Sequence, residues 1–427
     1  LDAPSDVRMM PENTSSGREE SVSGGQSHTT FLGLTANLWR VALVVGISQL
    51  SIALWKWEYS IFLLQRIDAL QMGLVFSVGT AMGLIGSFAS GAAADFVGRR
   101  RTLAAGFIPL ILGLLAMSYF PVWPLLLLQY GFIWYGVSVF RVMSRTIPAD
   151  EVVADHGRNP ARKMMMVTMP LWLFDAFGPL IGAFMMSLGF SSQDLYRLAA
   201  WVAASAMVLS IGLVKESLPA DTVRKARAGP RVSFRNLGGD YWRLCAGMAI
   251  FYFFFTAAIQ YLGNLCTSDW QVDTVTYGLT WSAFSFTSAL LMYTASSIAD
   301  RNLKGGLLFG LAGNGVAYIV WALGSGAFLM YLLNITWAVP LIIWVGAERS
   351  LAAMCVGEEV KGRALGTYEL IMGLTSIFAV SFGALVWTLS GSLRIVWGLS
   401  GLGMIVATVM VYALIRGIDL QKLRDRC

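Results

Sequence analysis

The chain has 427 residues, 56% of them hydrophobic and only 13% charged, with a mean hydropathy of +0.63. Soluble domains carry about 25% charged residues, so something other than water surrounds most of this surface, and a string of soluble domains is excluded. The net charge of +6 would suit a nucleic-acid binder, but its distribution along the chain assigns it to membrane topology instead.

Residues 1–38 are rich in Ser, Gly, Thr, Glu and Pro and contain no apolar run. They are expected to form a disordered cytoplasmic tail rather than a cleaved leader. Apolar stretches then recur to the far end, each of about 20 residues, enough to cross a hydrocarbon core at 1.5 Å per residue. Backbone inside lipid must satisfy its own hydrogen bonds, so each stretch is read as helix; the alternating ten-residue pattern of a barrel is absent. The predicted spans are 40–63, 71–94, 102–120, 124–146, 164–189 and 194–214, then 243–264, 274–299, 306–324, 326–347, 364–389 and 393–416. The fold class is therefore an all-α membrane protein with twelve transmembrane helices. A polar stretch at 215–242 is the longest connection and divides a first bundle, 39–214, from a second, 243–416, with a short tail at 417–427.

Orientation follows from Lys and Arg. With the N-terminus inside, only Lys56, Arg66, Arg197 and Arg394 fall on the outer side, leaving 27 of the 31 basic residues inside. That excess places both termini in the cytoplasm. The cysteines Cys245, Cys266, Cys355 and Cys427 show neither metal-ligand spacing nor a disulfide framework, and His28 and His156 fall outside the spans. No metal, cofactor or nucleic-acid partner is expected, and no enzyme activity. The 20 methionines read as apolar filler.

The loop after the second span carries Gly91, Asp95, Gly98, Arg99, Arg100 and Thr102 in the pattern G-x-x-x-D-x-x-G-R-R-x-T. An acid at a helix C-terminus opposes that helix's dipole, so Asp95 needs a partner from elsewhere. Gly91 would permit close helix packing, and Gly98 suits a tight turn. A degenerate copy stands 205 residues on, with Ser296, Asp300 and Lys304 in place of Gly91, Asp95 and Arg99, as duplication of a six-helix unit would leave it.

This motif, after span two of twelve, resembles the signature of the major facilitator superfamily. Other segments resemble its sugar-porter and metabolite–proton symporter branches: Glu151-x6-Arg158 after helix four, Lys215-Glu216-Ser217-Leu218-Pro219 after helix six, and Glu358 to Gly366 before helix eleven. Gly178-Pro179 and Gly182 in helix five are similar to a shortened antiporter-associated motif, and the Gly-Pro step is expected to bend or loosen that helix. The resemblance implies two pseudo-symmetric six-helix bundles and a monomer that moves a small-molecule solute across the plasma membrane by alternating access, with protons as a coupling partner. It also implies a cytoplasmic gate in which Gly91, Asp95, Gly98, Arg99, Arg100, Glu151 and Arg158 act in one half and Asp300, Lys304, Glu359 and Arg363 in the other. A proton-driven exporter of amphipathic compounds, or a transporter-like sensor without turnover, are the alternatives.

Ionisable groups inside a span cost several kcal/mol unless paired or hydrated. Asp175 stands about 18 Å along a helix from Lys163, near mid-membrane, and is the proton-coupling candidate; the alternative is a structural acid bonded to a neighbouring helix. Arg141 can bind an anionic substrate or join the gate network with Glu369. Lys56 and Glu58, near the outer end of helix one, lie two apart and point to different sides; they can snorkel to the interface or face the substrate. The coupling acid that many sugar-branch symporters carry in helix one is absent, and Gln49 stands at mid-depth instead. Cavity candidates are Gln49, Gln129, Tyr130, Trp134, Arg141, Gln260, Tyr261, Asn264, Asn334 and Trp337. Aromatic walls with a few amides suit a sugar or other neutral polar solute, though aromatics in membranes also serve as anchors and packing.

Overall fold

A computed structural model describes residues 35–154, 160–216, 237–356 and 361–417. The elements are helical throughout. We number them α1 (Ala36–Lys56, carried on by Tyr59–Leu64), α2 (Ala69–Val97), α3 (Arg99–Tyr119), α4 (Leu125–Ala154), α5 (Pro160–Ser187) and α6 (Ser192–Leu213) in the first half. The second half holds α7 (Gly239–Ile259, carried on by Leu262–Asn264 and the π-turn Leu265–Asp269), α8 (Thr274–Arg301), α9 (Leu303–Leu323), α10 (Ala327–Met354), α11 (Lys361–Ser390) and α12 (Leu393–Ile415). Eleven are long and apolar enough to cross a membrane, and α8, at 28 residues, brings the long helices to twelve.

Helix ends follow local chemistry. Asp68 and Gln71 form a reciprocal capping box that starts α2, and Ser191 with Asp194 does the same for α6. Asp273 accepts from Thr276 N at 2.8 Å to start α8. Several helices outrun the predicted spans: α4 reaches Ala154 rather than 146, and α10 reaches Met354 rather than 347. Hydropathy registers only the lipid-matched stretch, whereas helical hydrogen bonding continues into polar sequence. Helix α5 runs unbroken through Pro170 and Pro179. The bend expected at Gly178-Pro179 gives way to packing: a Cβ on Gly178 would lie 2.3 Å from the Ala53 methyl, so the glycine lets α5 press against α1.

Packing repeats with a shift of six helices. In the first half α1 packs on α5 and α6, α2 on α4, and α3 on α4 and α6. In the second half α7 packs on α11 and α12, α8 on α10, and α9 on α10 and α12. The halves meet along two seams, α2 with α11 and α5 with α8, which exchange under the same shift. The outer surface is apolar, with Phe328 83% and Leu323 78% exposed, as a lipid-facing surface should be.

The α2–α3 turn shows how the motif is built. Gly98 takes φ +102°, and a Cβ there would lie 2.5 Å from a carboxylate oxygen of Glu216. That carboxylate accepts the backbone N–H groups of Arg99 at 2.7 Å and Arg100 at 3.2 Å. It therefore caps the positive end of α3 from beyond α6. The second half caps the equivalent helix locally, with Gly305 N donating to Asn302 Oδ1 at 2.9 Å. Gly91 meets nothing within 4 Å, so the close packing expected of it is not found. Gly98→Ala is expected to destabilise the protein by about 1–3 kcal/mol through its left-handed backbone, and Gly91→Ala to be neutral. Thermal unfolding of the two variants in detergent checks the contrast, and equal midpoints would refute it.

Candidate functional site

Midway along α5, Asp175 accepts hydrogen bonds from two other helices. Gln49 Nε2 of α1 donates to Oδ1 at 2.6 Å, and Ser285 Oγ of α8 donates to Oδ2 at 3.0 Å. Gln49 and Asp175 belong to the first half, but Ser285 belongs to the second. The carboxylate thus stands on the seam between halves. One turn away on the α8 side, Ser282 Oγ bonds the Ala176 carbonyl. The α2–α11 seam is held by Ser77, whose hydroxyl bonds Ile377 O at 2.8 Å and lies 2.9 Å from Ser381 Oγ. Polar links of this kind in membranes contribute about 0.6–1 kcal/mol each, so the seams hold by a few kcal/mol and can exchange partners.

One end of the space between the halves is closed. Helices α1 and α7 both break there, at Trp57–Glu58 and at Gln260–Tyr261, and their short continuations touch. Asn264 Nδ2 donates to Ser60 O at 2.8 Å across the halves. Trp57 is buried against the α5–α8 seam, where Cβ atoms on Gly182 and Gly278 would lie 3.1 and 2.9 Å from its indole. Glu58 is also buried and accepts from Ser192 Oγ at 3.1 Å.

Below this closure lie two adjoining chambers. The narrow one, about 110 Å³, is lined by Lys56, Trp57, Tyr59, Ser60, Tyr277 and Trp281 among others. The wider one, about 280 Å³, is lined by Thr80, Ser87, Trp134, Ser138, Arg141 and Tyr252 among others. Phe76, Tyr130, Ile259 and Gln260 line both. The Arg141 guanidinium stacks 5.1 Å from the Trp134 ring centroid. Lys56 and Arg141 each lie within electrostatic reach of Asp175 and of one another.

Of the cavity candidates, Tyr130, Trp134, Arg141 and Gln260 line these chambers. The structure turns the others elsewhere. Gln49 is committed to Asp175. Gln129 donates to Phe120 O at 2.7 Å and Ala116 O at 3.2 Å, closing the end of α3. Tyr261 is fully buried and donates to Val380 O at 2.9 Å, bracing α7 against α11. Asn264 ties the closed end. Asn334 bonds its own helix at Met330 O, and Trp337 donates to Asn314 Oδ1 at 2.7 Å and stacks on Phe284 inside the second bundle. Lys56, for which snorkelling to the interface is one of the two sequence readings, lines the narrow chamber instead.

Among the gate candidates, Gly98, Arg99 and Arg100 meet Glu216, the Arg100 guanidinium also bonds Ile211 O, and Lys304 Nζ approaches Arg416 O at 3.5 Å. The side chains of Asp95, Glu151, Asp300 and Arg363, and the whole of Arg158 and Glu359, lie outside the described residues. Two features carried no sequence signal strong enough to single them out. Glu348 of α10 is buried, accepting from Tyr252 at 2.7 Å and Tyr368 at 3.3 Å; Arg349 beside it pairs with Glu369 at 3.0 Å. Acids and bases near a helix end look the same in sequence whether they face water or a cavity wall.

No protein-family model matches the chain. An uncharacterised MFS-type transporter, MJ1317 of Methanocaldococcus jannaschii, is 22% identical over 354 residues, covering 77% of this chain and 83% of that protein. Among solved structures, a POT family transporter in complex with a thioalcohol-conjugated peptide superposes with a TM-score of 0.76 at 14% identity, over 92% of this chain and 98% of that one. The human organic anion transporter MFSD10 gives 0.63 at 15% identity, over 88% and 99%. A bacterial homologue of the human lysosomal transporter Spinster, inward-facing and occupied, gives 0.64 at 12%, over 91% and 96%. This chain has the major facilitator fold. It is a multi-pass membrane protein, and its twelve helices follow the pattern of two six-helix bundles. None of these likenesses singles out the sugar-porter branch.

The closed end is testable by chemistry. A Cβ on Gly263 would lie 2.7 Å from Ser60 Oγ, within reach of a disulfide. The pair Ser60→Cys and Gly263→Cys is expected to cross-link under mild oxidation, giving a bridged peptide by mass spectrometry; failure to cross-link would contradict closure at this end.

Proposed function

We propose that this chain is a secondary transporter that moves a small polar organic solute by alternating access, with Asp175 as its proton-binding group. In this reading it works as a monomer in the cell membrane with both termini in the cytoplasm. Residues 1–38 and 417–427 are its tails, and 215–242 link its two bundles. The α2–α3 and α8–α9 turns, with Glu151, Arg158, Glu359 and Arg363, form its cytoplasmic gate. Support comes from the fold, from a cavity between halves closed at one end, and from solved neighbours that bind a conjugated peptide and 5-aminolevulinic acid.

The observation that carries the proposal is the position of Asp175. Ionised, it accepts from α1 of its own half and from α8 of the other. Protonation turns one carboxylate oxygen from acceptor into donor, so the bond to Ser285 must be remade or lost. A proton then biases the α5–α8 seam between two arrangements, which is what coupling to a rocking motion requires. Ser285 has an acceptor as well as a donor, so in the protonated state the bond can be remade only with its direction reversed.

The test is proton flux into proteoliposomes carrying an internal pH dye, driven by pooled sugars, organic acids, short peptides and amphipathic cations. Asp175→Asn is expected to abolish solute-driven proton flux while leaving solute exchange across the membrane. Undiminished flux in the variant would overturn the role of Asp175. Absence of flux and exchange with every pool would overturn the transporter reading itself.

A further inference from the structure

The cavity between the halves carries unbalanced charge. Lys56 stands in the wall of the narrow chamber and Arg141 in the wall of the wide one, and no carboxylate is among the described residues lining either. The nearest described acid in electrostatic reach of both is Asp175, whose oxygens are engaged by Gln49 and Ser285. Glu369 also acts on Arg141, but it is paired with Arg349. With Asp175 ionised, the trio of Lys56, Arg141 and Asp175 has a net charge of plus one; with Asp175 protonated, plus two. Cations in a low-dielectric site without matching anions are held at a cost, and a solute that brings an anion relieves it. A cationic solute would deepen it. A neutral sugar would find hydroxyls such as Ser60, Thr80 and Ser138 and the Gln260 amide in this lining, but it would leave both cations without a matching anion. The other amides expected there are committed to fixed partners.

We propose that the transported solute is a small organic anion, its carboxylate held between Lys56 and Arg141 and its body against Phe76, Tyr130 and Ile259. This rests on the transporter reading and names the substrate class of the same site. The three lining residues are shared by both chambers and lie between the two cations. Arg141 offers a planar fork suited to a carboxylate, kept in one orientation by stacking on Trp134. Lys56 supplies a second charge from the other side.

The same arrangement links the anion to the proton. The groups facing Asp175 are Gln49 and Lys56 from α1, Arg141 from α4 and Ser285 from α8, so a solute carboxylate and the Asp175 carboxylate draw on the same two cations. Protonating Asp175 frees them, so the anion binds more tightly as pH falls. One anion and one proton then cross together.

The test uses the full chain, purified, with lactate, benzoate and N-acetylphenylalanine, each beside its primary amide, together with glucose and tetraphenylphosphonium. Binding is read by thermal shift at mildly acidic and mildly alkaline pH. At least one carboxylate is expected to bind, more tightly at acidic pH, and its amide not to bind. Lys56→Met and Arg141→Met are each expected to weaken that carboxylate by about tenfold or more, as loss of a charge-assisted contact should. Lys56→Arg, which keeps the charge, guards against misfolding by restoring binding. Asp175→Asn should bind the carboxylate with no pH dependence. An amide that binds as well as its acid, or binding by no carboxylate, overturns the inference. If glucose or the cation then drives proton flux that needs Asp175, the transporter reading survives without it. If nothing on the panel binds or drives flux, both fall.

Discussion

A carboxylate in the middle of a membrane must be paid for by its neighbours, and the structure is organised around how Asp175 is satisfied. Its two oxygens take one hydrogen bond from its own half and one from the other. Everything needed to place it follows from packing. Gly178, one turn on, lets α5 lie against α1 so that Gln49 reaches it. Helix α8 lies along α5, bringing Ser285 to it. Lys56, the last residue of the first segment of α1, stands in the chamber wall within electrostatic reach of it.

The six-helix shift explains why so few contacts join the halves. Each bundle packs its own helices together, and among the described residues the main contacts between halves are the α2–α11 and α5–α8 seams and the touching tips of α1 and α7. The polar links across these seams are serine hydroxyls on main-chain carbonyls and on the Asp175 carboxylate, contacts that are individually weak in a membrane. On the proposed reading, one proton or one bound anion shifts the balance between two arrangements of the α5–α8 seam. The Glu216 carboxylate acts within one half: it ties the α2–α3 turn to the end of α6 through two backbone N–H groups.

Hydropathy made the helices legible, since about 20 apolar residues in lipid leave the backbone no other choice. It made Asp175 legible too, as an acid where acids are costly. The turn at Gly98 and the repeat at Asp300 could be read from spacing alone. Side-chain direction could not. Gln129, Asn334 and Trp337 stand at cavity depth but face the ends or interior of their own bundles, because a buried amide can satisfy itself on any free carbonyl. For Lys56 the sequence leaves two directions open, snorkelling or facing the solute, because a break in a helix leaves no trace in an apolar run; the chamber lining decides between them. The capping role of Glu216 required knowing that the end of α6 returns to the start of α3, a contact between residues more than a hundred positions apart.

The central claim is that the charge state of Asp175 sets the relation between the halves. Spin labels at Gln65 and Ser268, both exposed at the closed end and on opposite halves, would report it by pulsed distance measurement. The account expects the distance distribution to shift between acidic and alkaline pH in the wild type and to stay fixed in Asp175→Asn. A shift that persists unchanged in the variant would place the switch elsewhere and contradict it.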